Sequence, residues 1–258
     1  LKKGMTVEQA FAAIRTQGEN AETVYTCYVV ESNRLLGVVS ARSLLLALIA
    51  TVICLVIAFP VGYFLSRLRV NKQHIMLMLV MLPMWMNFLL RTYAWMTLLE
   101  KNGLINKFFG LFGLGPFTMI NTSGAVVLGM VYNYLPYMIL PLYTAMTKID
   151  HSIVEAAQDL GANTRRIVTR VLIPMSTPGI ATGITMVFVP SVSTFAISRM
   201  LGGGTELLLG DLIERQFLGG SYDPQLGAAI SLVMMVIVVV CMVIMNRFGE
   251  GEEQAVML

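Results

Sequence analysis

Between two long apolar stretches lies a polar, helix-prone segment, Glu155–Pro178, which reads E-A-A-Q-D-L-G-A-N-T-R-R-I-V-T-R-V-L-I-P-M-S-T-P. Its residue types suit docking rather than bond-making. Glu155, Ala156 and Ala157 open it, Gly161 interrupts it, and Pro174 closes it. The S-x-x-E spacing of Ser152 and Glu155 predicts a capping box, with a helix starting at Ser152. Ala156, Ala157, Gln158 and Leu160 continue that helix for about two turns before Gly161 permits a reversal. Asn163 or Thr164 then caps a second helix, in which Arg165, Arg166 and Arg170 supply positive charge. The capping box alone is equally that of an ordinary helical hairpin. The added E-A-A, Gly161 and Pro174 single this segment out.

The other reactive side chains do not assemble into a catalytic pattern. No G-x-x-x-x-G-K-[ST] loop is present, so the chain is not expected to hydrolyse a nucleotide. Gly202-Gly203-Gly204 is followed by Thr205 and Glu206 and lacks a phosphate-binding lysine. The two histidines, His74 and His151, fall in separate short loops without metal-ligand spacing. Cys27, Cys54 and Cys241 are isolated; Cys54 and Cys241 read as small apolar packing residues. The expectation is no enzyme, no cofactor, no metal and no nucleic-acid partner.

Composition dictates the elements that must carry these residues. The chain is 56% hydrophobic and 13% charged, with a mean hydropathy of +0.73, where a soluble domain carries about 25% charged residues. Five apolar runs approach the length of about 20 residues that a bilayer core requires. They are Leu44–Leu65, Met76–Met96, Gly124–Met146, Gly179–Ile197 and Leu226–Met245. Apart from Arg91, near one end of the second, none holds a Lys, Arg, Asp or Glu. Backbone groups in lipid must be satisfied internally, so the runs are expected to be helices. Pro60, Pro83, Pro136, Pro141 and Pro190 should kink them. The nineteen Met residues suit adaptable helix packing. Without an intramembrane carboxylate to relay protons, a proton-coupled carrier is disfavoured.

Basic residues orient the chain. Arg67, Arg69, Lys72, Lys148, Arg165, Arg166, Arg170 and Arg247 gather on one side. Only Lys101, Lys107, Arg199 and Arg215 lie in the loops 97–123 and 199–225 on the other. The Glu155 segment is therefore cytoplasmic.

With its apolar flanks, that segment resembles the E-A-A loop of bacterial ABC importer permeases: Glu155-Ala156-Ala157, then Gly161, then Ile173-Pro174. The resemblance implies an all-α polytopic type I importer fold of about five spans over residues 44–247, with a cytoplasmic tail at 248–258. It further implies a bacterial cytoplasmic (inner) membrane location, separate ABC ATPase subunits, a second homologous permease and an extracytoplasmic solute-binding protein. Glu155, Ala156, Ala157, Gly161, Arg165 and Pro174 would then form the coupling helix that docks on the ATPase. Three further stretches, Leu82–Met96, Tyr132–Tyr143 and Leu201–Phe217, look like the spermidine/putrescine branch. R-T-Y-A-W and L-G-G-G are shared with related importers, some for iron, thiamine or phosphonates.

For a cationic solute, Trp85, Tyr93, Tyr132 and Tyr137 could line a path through cation–π contacts, with Asn87 and Asn133 as polar groups within the spans. An aromatic belt at the interface explains at least half of the aromatic residues equally well, and interhelical hydrogen bonding is the plainer role for the asparagines. Glu206, Asp211 and Glu214, with Asp223 and against Arg199 and Arg215, give the outer loop a net charge of −2. This patch is expected to dock the binding protein or to steer a polycation, and an ordinary solvated loop accounts for it equally well.

Residues 1–43 read differently. A helix over Val7–Thr16 and strands over Thr26–Val30 and Leu35–Val39, turning at Ser32-Asn33, form an α/β fragment. Residues 5–46 resemble part of a CBS domain of the MgtE-like magnesium transport family. Permeases of the importer type begin with one further span, so the expectation is a fusion, truncation or chimera joined near Ser43–Leu46, with a real regulatory element as the alternative. A magnesium channel would carry pore-mouth carboxylates, which the five runs lack.

Overall fold

The computed structural model describes residues 26–31, 34–113, 117–203, 208–218 and 224–250, with side chains from Ser43 to Val243. The helix expected at Val7–Thr16, the turn at Ser32-Asn33, Glu206 and the end of the tail lie outside the described residues.

Strands β1 (Thr26–Glu31) and β2 (Arg34–Ser40) pair antiparallel, from Thr26 opposite Ser40 to Glu31 opposite Arg34, with an irregularity between Val29 and Val30. Strand β2 lies against the last long helix and runs without a break into the first. That helix, α1 (Ala41–Ser66), starts ahead of the boundary expected at residue 44. The remaining helices are α2 (Val70–Trp85), α3 (Phe88–Leu99), α4 (Leu104–Leu111), α5 (Ser123–Thr147), α6 (His151–Asp159), α7 (Thr164–Met175), α8 (Thr177–Ser193), α9 (Ala196–Leu201), α10 (Leu209–Leu218) and α11 (Pro224–Glu250).

Three of them, α1, α5 and α11, are long and apolar enough to cross a membrane unaided. The other two expected spans are broken. Met76–Met96 divides at Met86-Asn87, where α2 meets the arm that begins with α3 at 88°. Apolar periodicity continues through this point, but Asn87 turns its side chain onto the Leu89 N–H at 2.8 Å and caps a new helix. Gly179–Ile197 is likewise interrupted: α8 ends at Ser193, and α9 begins two residues beyond an extended Thr194.

Helix α5 is the hub, packed between α1 and α8. Along α1, Ala50, Cys54 and Ala58 recur at helical spacing and are buried, letting the backbones approach closely. Against α8 the approach is closer still. A Cβ placed on Gly179 would fall 2.5 Å from the Ala145 Cβ and 2.7 Å from the Pro141 carbonyl oxygen. Gly179 is therefore required by space. At the end of α5 near its C-terminus, Gln73 ties the turn between α1 and α2 to the hub. It donates to the carbonyls of Ser66 and Leu68 and accepts from the Tyr143 hydroxyl at 3.2 Å.

Candidate functional site

The loop between α5 and α8 is a helical hairpin with two polar caps and a glycine turn. Helix α6 begins one residue before Ser152, because the Asp150 carboxylate accepts from the Ser152 N–H at 3.0 Å. The expected capping box does not form: Asp150 already holds the donor that Glu155 would have needed. Glu155 instead meets His151 one turn earlier, Nδ1 to Oε1 at 2.9 Å, on the exposed face. The hydrogen bond from Ser152 pulls the Asp150 carboxyl below the ordinary carboxylate range.

Gly161 ends α6 in the left-handed region, with φ of +77°. Its N–H donates to the Gln158 carbonyl at 2.8 Å, and the next N–H, of Ala162, reaches back to Ala157 at 3.0 Å. This is a Schellman closure, which leaves the last turn's carbonyls satisfied. No heavy atom lies within 4 Å of a Cβ built there, so the glycine is needed for its backbone angle and not for room. Asn163 then caps α7 by accepting from the Arg166 N–H at 3.0 Å. The middle of α7, Val168–Leu172, is π-wound ahead of Pro174.

The hairpin is fastened from beneath. Ile149, Val154, Ile167 and Leu172 are buried in one cluster with Phe59 and Tyr63 of α1. Above that cluster Glu155, Ala156, Gly161, Arg165 and Pro174 are exposed, with Ala157 half-buried. Leu160, at the apex beside Gly161, is 89% exposed. The six residues expected in coupling all fall on this hairpin, and Leu160 is a further exposed side chain that the sequence reading did not single out. Its position between E-A-A and the turn glycine was the available signal.

The opposite end is built from α3, α9 and α10. Asp211 is buried, 5% exposed, and one of its oxygens accepts from the Ser198 hydroxyl at 2.6 Å and from the Leu208 N–H at 3.0 Å. The expectation that Asp211 is a surface docking charge is corrected: it joins α9 to the start of α10. Burial raises its carboxyl above the ordinary range, against the pull of those two donors. Glu214 pairs with Arg199, one of the two arginines that the sequence sets against the acids of this loop. Next to them, the Leu209 N–H donates to the Ser43 hydroxyl at 3.0 Å, binding α10 to the head of α1.

The expected path residues do not converge. Tyr132 packs edge-on against Trp95 at 5.3 Å, and Tyr137 lies 6.4 Å from Tyr134. Trp85 and Tyr93 are exposed and enter no ring contact found among the described residues. Asn87 is a helix cap. Asn133 is buried and donates within its own helix to the Gly129 carbonyl at 2.9 Å, so it lines no open path in this chain. Arg91, which the sequence placed near a span end, is buried with Nε and Nη1 unpartnered among the described residues. Among those residues, no cluster of His, Cys, Asp and Glu could hold a metal ion.

Comparison with known proteins agrees with this architecture. Residues 35–251 match the family described as "Binding-protein-dependent transport system inner membrane component". That match takes in β2, within the stretch that resembled a CBS domain. The chain is 37% identical over 220 residues to the spermidine/putrescine transport system permease protein PotB of Haemophilus influenzae, covering 84% of this chain and 77% of that one. Against PotB of Escherichia coli the figure is 37% over 198 residues, 76% of this chain and 72% of that one. Among solved structures, a bacterial alginate ABC transporter in complex with its alginate-bound periplasmic protein superposes with a TM-score of 0.64 at 14% identity, covering 80% of this chain and 75% of that one. An inward-facing MetNI methionine ABC transporter gives 0.59 at 17%, covering 81% and 92%. These two share the fold. Taken with the helices long enough to span, the matched region and the 37% identity show that the chain belongs to the binding-protein-dependent transport system inner membrane components, as a multi-pass protein of the bacterial inner membrane.

Proposed function

We propose that the chain is one permease half of an ATP-driven importer for polyamines, spermidine or putrescine. In this reading the α6–α7 hairpin docks on a separate ATPase subunit through Glu155, Ala156, Ala157, Leu160, Gly161, Arg165 and Pro174. A second permease completes the channel, and a solute-binding protein delivers its load at the end bearing Arg199 and Glu214. The observation that carries the coupling role is the closed turn at Gly161, which holds Leu160 out over a buried base. The solute follows from the relatives' names, two of which read spermidine/putrescine.

Selectivity then rests mainly with the binding protein. Recognising several amines tightly demands paired carboxylates or an aromatic cage, and the described residues of the spans hold no carboxylate pair and only the ring pairs Trp95–Tyr132 and Tyr134–Tyr137. Trp85, Tyr93, Tyr132 and Tyr137 contribute at most a weak aromatic-lined route. The test is reconstitution with the ATPase, second permease and binding protein. Spermidine or putrescine should stimulate ATP hydrolysis, and Gly161→Val should abolish that stimulation while membrane insertion persists. Stimulation by an unrelated solute alone would overturn the polyamine assignment; normal stimulation in Gly161→Val would overturn the coupling role.

A further inference from the structure

Helix α4 is held in place with care and yet shows a bare apolar face. Its one buried polar residue, Asn106, acts as a clamp. The Asn106 amide donates to the carbonyls of Glu100 at 3.0 Å and Phe117 at 2.9 Å, and its oxygen accepts from the Phe117 N–H at 3.0 Å. Ile105 faces the core, and Phe109 packs edge-on against Phe117 at 5.8 Å. On the other side stand Leu104, Phe108, Leu111 and Phe112, at the spacing of one helix face. They are 68%, 58%, 83% and 68% exposed. Phe108 and Phe112 contact one another at 5.3 Å, which keeps the face continuous.

The position of α4 along the hub says what covers that face. The Asn106–Phe117 clamp holds α4 beside the segment leading to Thr122, the N-cap of α5. That is the end of α5 away from the α6–α7 hairpin. Helix α5 has 25 residues and so rises about 37 Å at 1.5 Å per residue. This exceeds a hydrocarbon core of about 30 Å, so its ends reach the headgroup layers. Helix α4 therefore sits at the outer boundary of the bilayer that α1, α5 and α11 cross. Lys101 and Lys107 are exposed around it, with Glu100 as the nearby acid. Apolar residues on one side and lysines at the rim are the pattern of a helix lying in the interface of an anionic membrane.

We propose that Leu104, Phe108, Leu111 and Phe112 enter the outer leaflet of the inner membrane, and that α4 is a lipid-seated anchor for the outer end of the bundle. The inference goes beyond the solute and the ATPase and depends on neither. It also takes the middle of the loop 97–123 out of binding-protein docking, leaving that contact to the loop 199–225.

The test uses the permease with its ATPase and second permease in liposomes of phosphatidylethanolamine and phosphatidylglycerol. Spin labels are placed at Phe108→Cys, Leu111→Cys and, as the aqueous control, Lys101→Cys, after replacement of Cys27, Cys54 and Cys241. Oxygen should collide with the labels at 108 and 111 several-fold more often than a water-soluble nickel chelate does, and the order should reverse at 101. Labels at 108 and 111 open to nickel would overturn the proposal. If they become shielded on adding the binding protein, that protein is the occupant; if shielded from both probes by the second permease, the face is a subunit interface. Should the cysteine-free background fail to assemble, photoactivatable phospholipid on the unaltered chain gives the same decision. Adducts within 104–112 are expected, and their absence, with adducts present on α1 and α11, would overturn the lipid contact.

Discussion

The Ala162 N–H reaches the Ala157 carbonyl at 3.0 Å because Gly161, between them, takes a φ of +77°. A side chain at 161 meets no neighbour, so substitutions there act through the backbone alone. The left-handed conformation costs an ordinary L-residue about 1–2 kcal/mol, with Asn tolerated better than Ala. Solute-stimulated ATP hydrolysis should therefore fall in the order Gly161, Asn, Ala, Val. An order that follows side-chain size with Asn below Ala would point to a steric contact with the ATPase instead.

Asp150 makes the start of the same hairpin sensitive to acid. Its folded-state carboxyl is depressed, so the cap contributes fully above the unfolded value of about 3.9 and is lost as pH falls through the depressed value. Hydrogen exchange at the Ser152 amide should be protected near neutrality and lose protection in acid. Asp150→Asn, which can still accept the bond, should keep protection flat across that range. Protection in Asp150→Ala equal to wild type would show that the cap is dispensable.

The hairpin was legible in sequence because its signals are local: Gly161, Asn163 and Pro174 act on residues within a turn of themselves. Its first residue was not, since Asp150 and Ser152 are both good caps and only one can hold the N–H. The break at Asn87 was hidden by apolar residues that suit either one bent span or two helices. Asp211 was misread for a different reason. Charges in loops normally face water, and its burial depends on Ser198, thirteen positions away. Such non-local pairing leaves no periodic trace.

That pairing separates two acids that the sequence presents as equals. Glu214→Gln should leave stability nearly unchanged, since a partly exposed pair contributes about 0–1 kcal/mol, while slowing binding-protein association in a salt-dependent way. Asp211→Asn should leave association and its salt dependence unchanged. Its effect should appear in pH. With the native carboxyl raised, the fold holds a proton that the unfolded chain releases. Stability therefore declines as pH rises from the unfolded value to the raised one. Thermal unfolding across that window should slope in wild type and be flatter in Asp211→Asn. Equal loss of association in both variants would restore Asp211 to the surface.

The head of α1 defines where a truncation becomes harmful. Removing residues 1–40 keeps Ser43 and its bond to the Leu209 N–H. Removing 1–43 leaves that buried donor unmet, at a cost of about 1–3 kcal/mol. The shorter deletion should transport as the full chain does, whereas the longer one should unfold at a lower temperature. Loss of a nucleotide- or Mg²⁺-dependent response in the shorter deletion would reveal a working sensor in the N-terminal segment.

Arg91 and Asn133 carry unmet capacity of opposite kinds on packed helices. The Arg91 Nε and Nη1 have no acceptor, and the Asn133 Oδ1 has no donor, among the described residues. Trp95, one turn beyond Arg91, touches Tyr132, the residue before Asn133. A buried cation without a partner is costly, and an apolar side chain of similar reach in its place removes that cost where no acceptor faces it. Arg91→Met should accordingly raise the unfolding temperature, read through thiol labelling of the buried Cys54. If the charge is kept for function, coupled transport should fall in the same variant, because strain retained at a working site is released only with loss of activity. A lower unfolding temperature in Arg91→Met would mean that the guanidinium is satisfied in the assembled protein, and the helix pair would then have to be read as a finished contact.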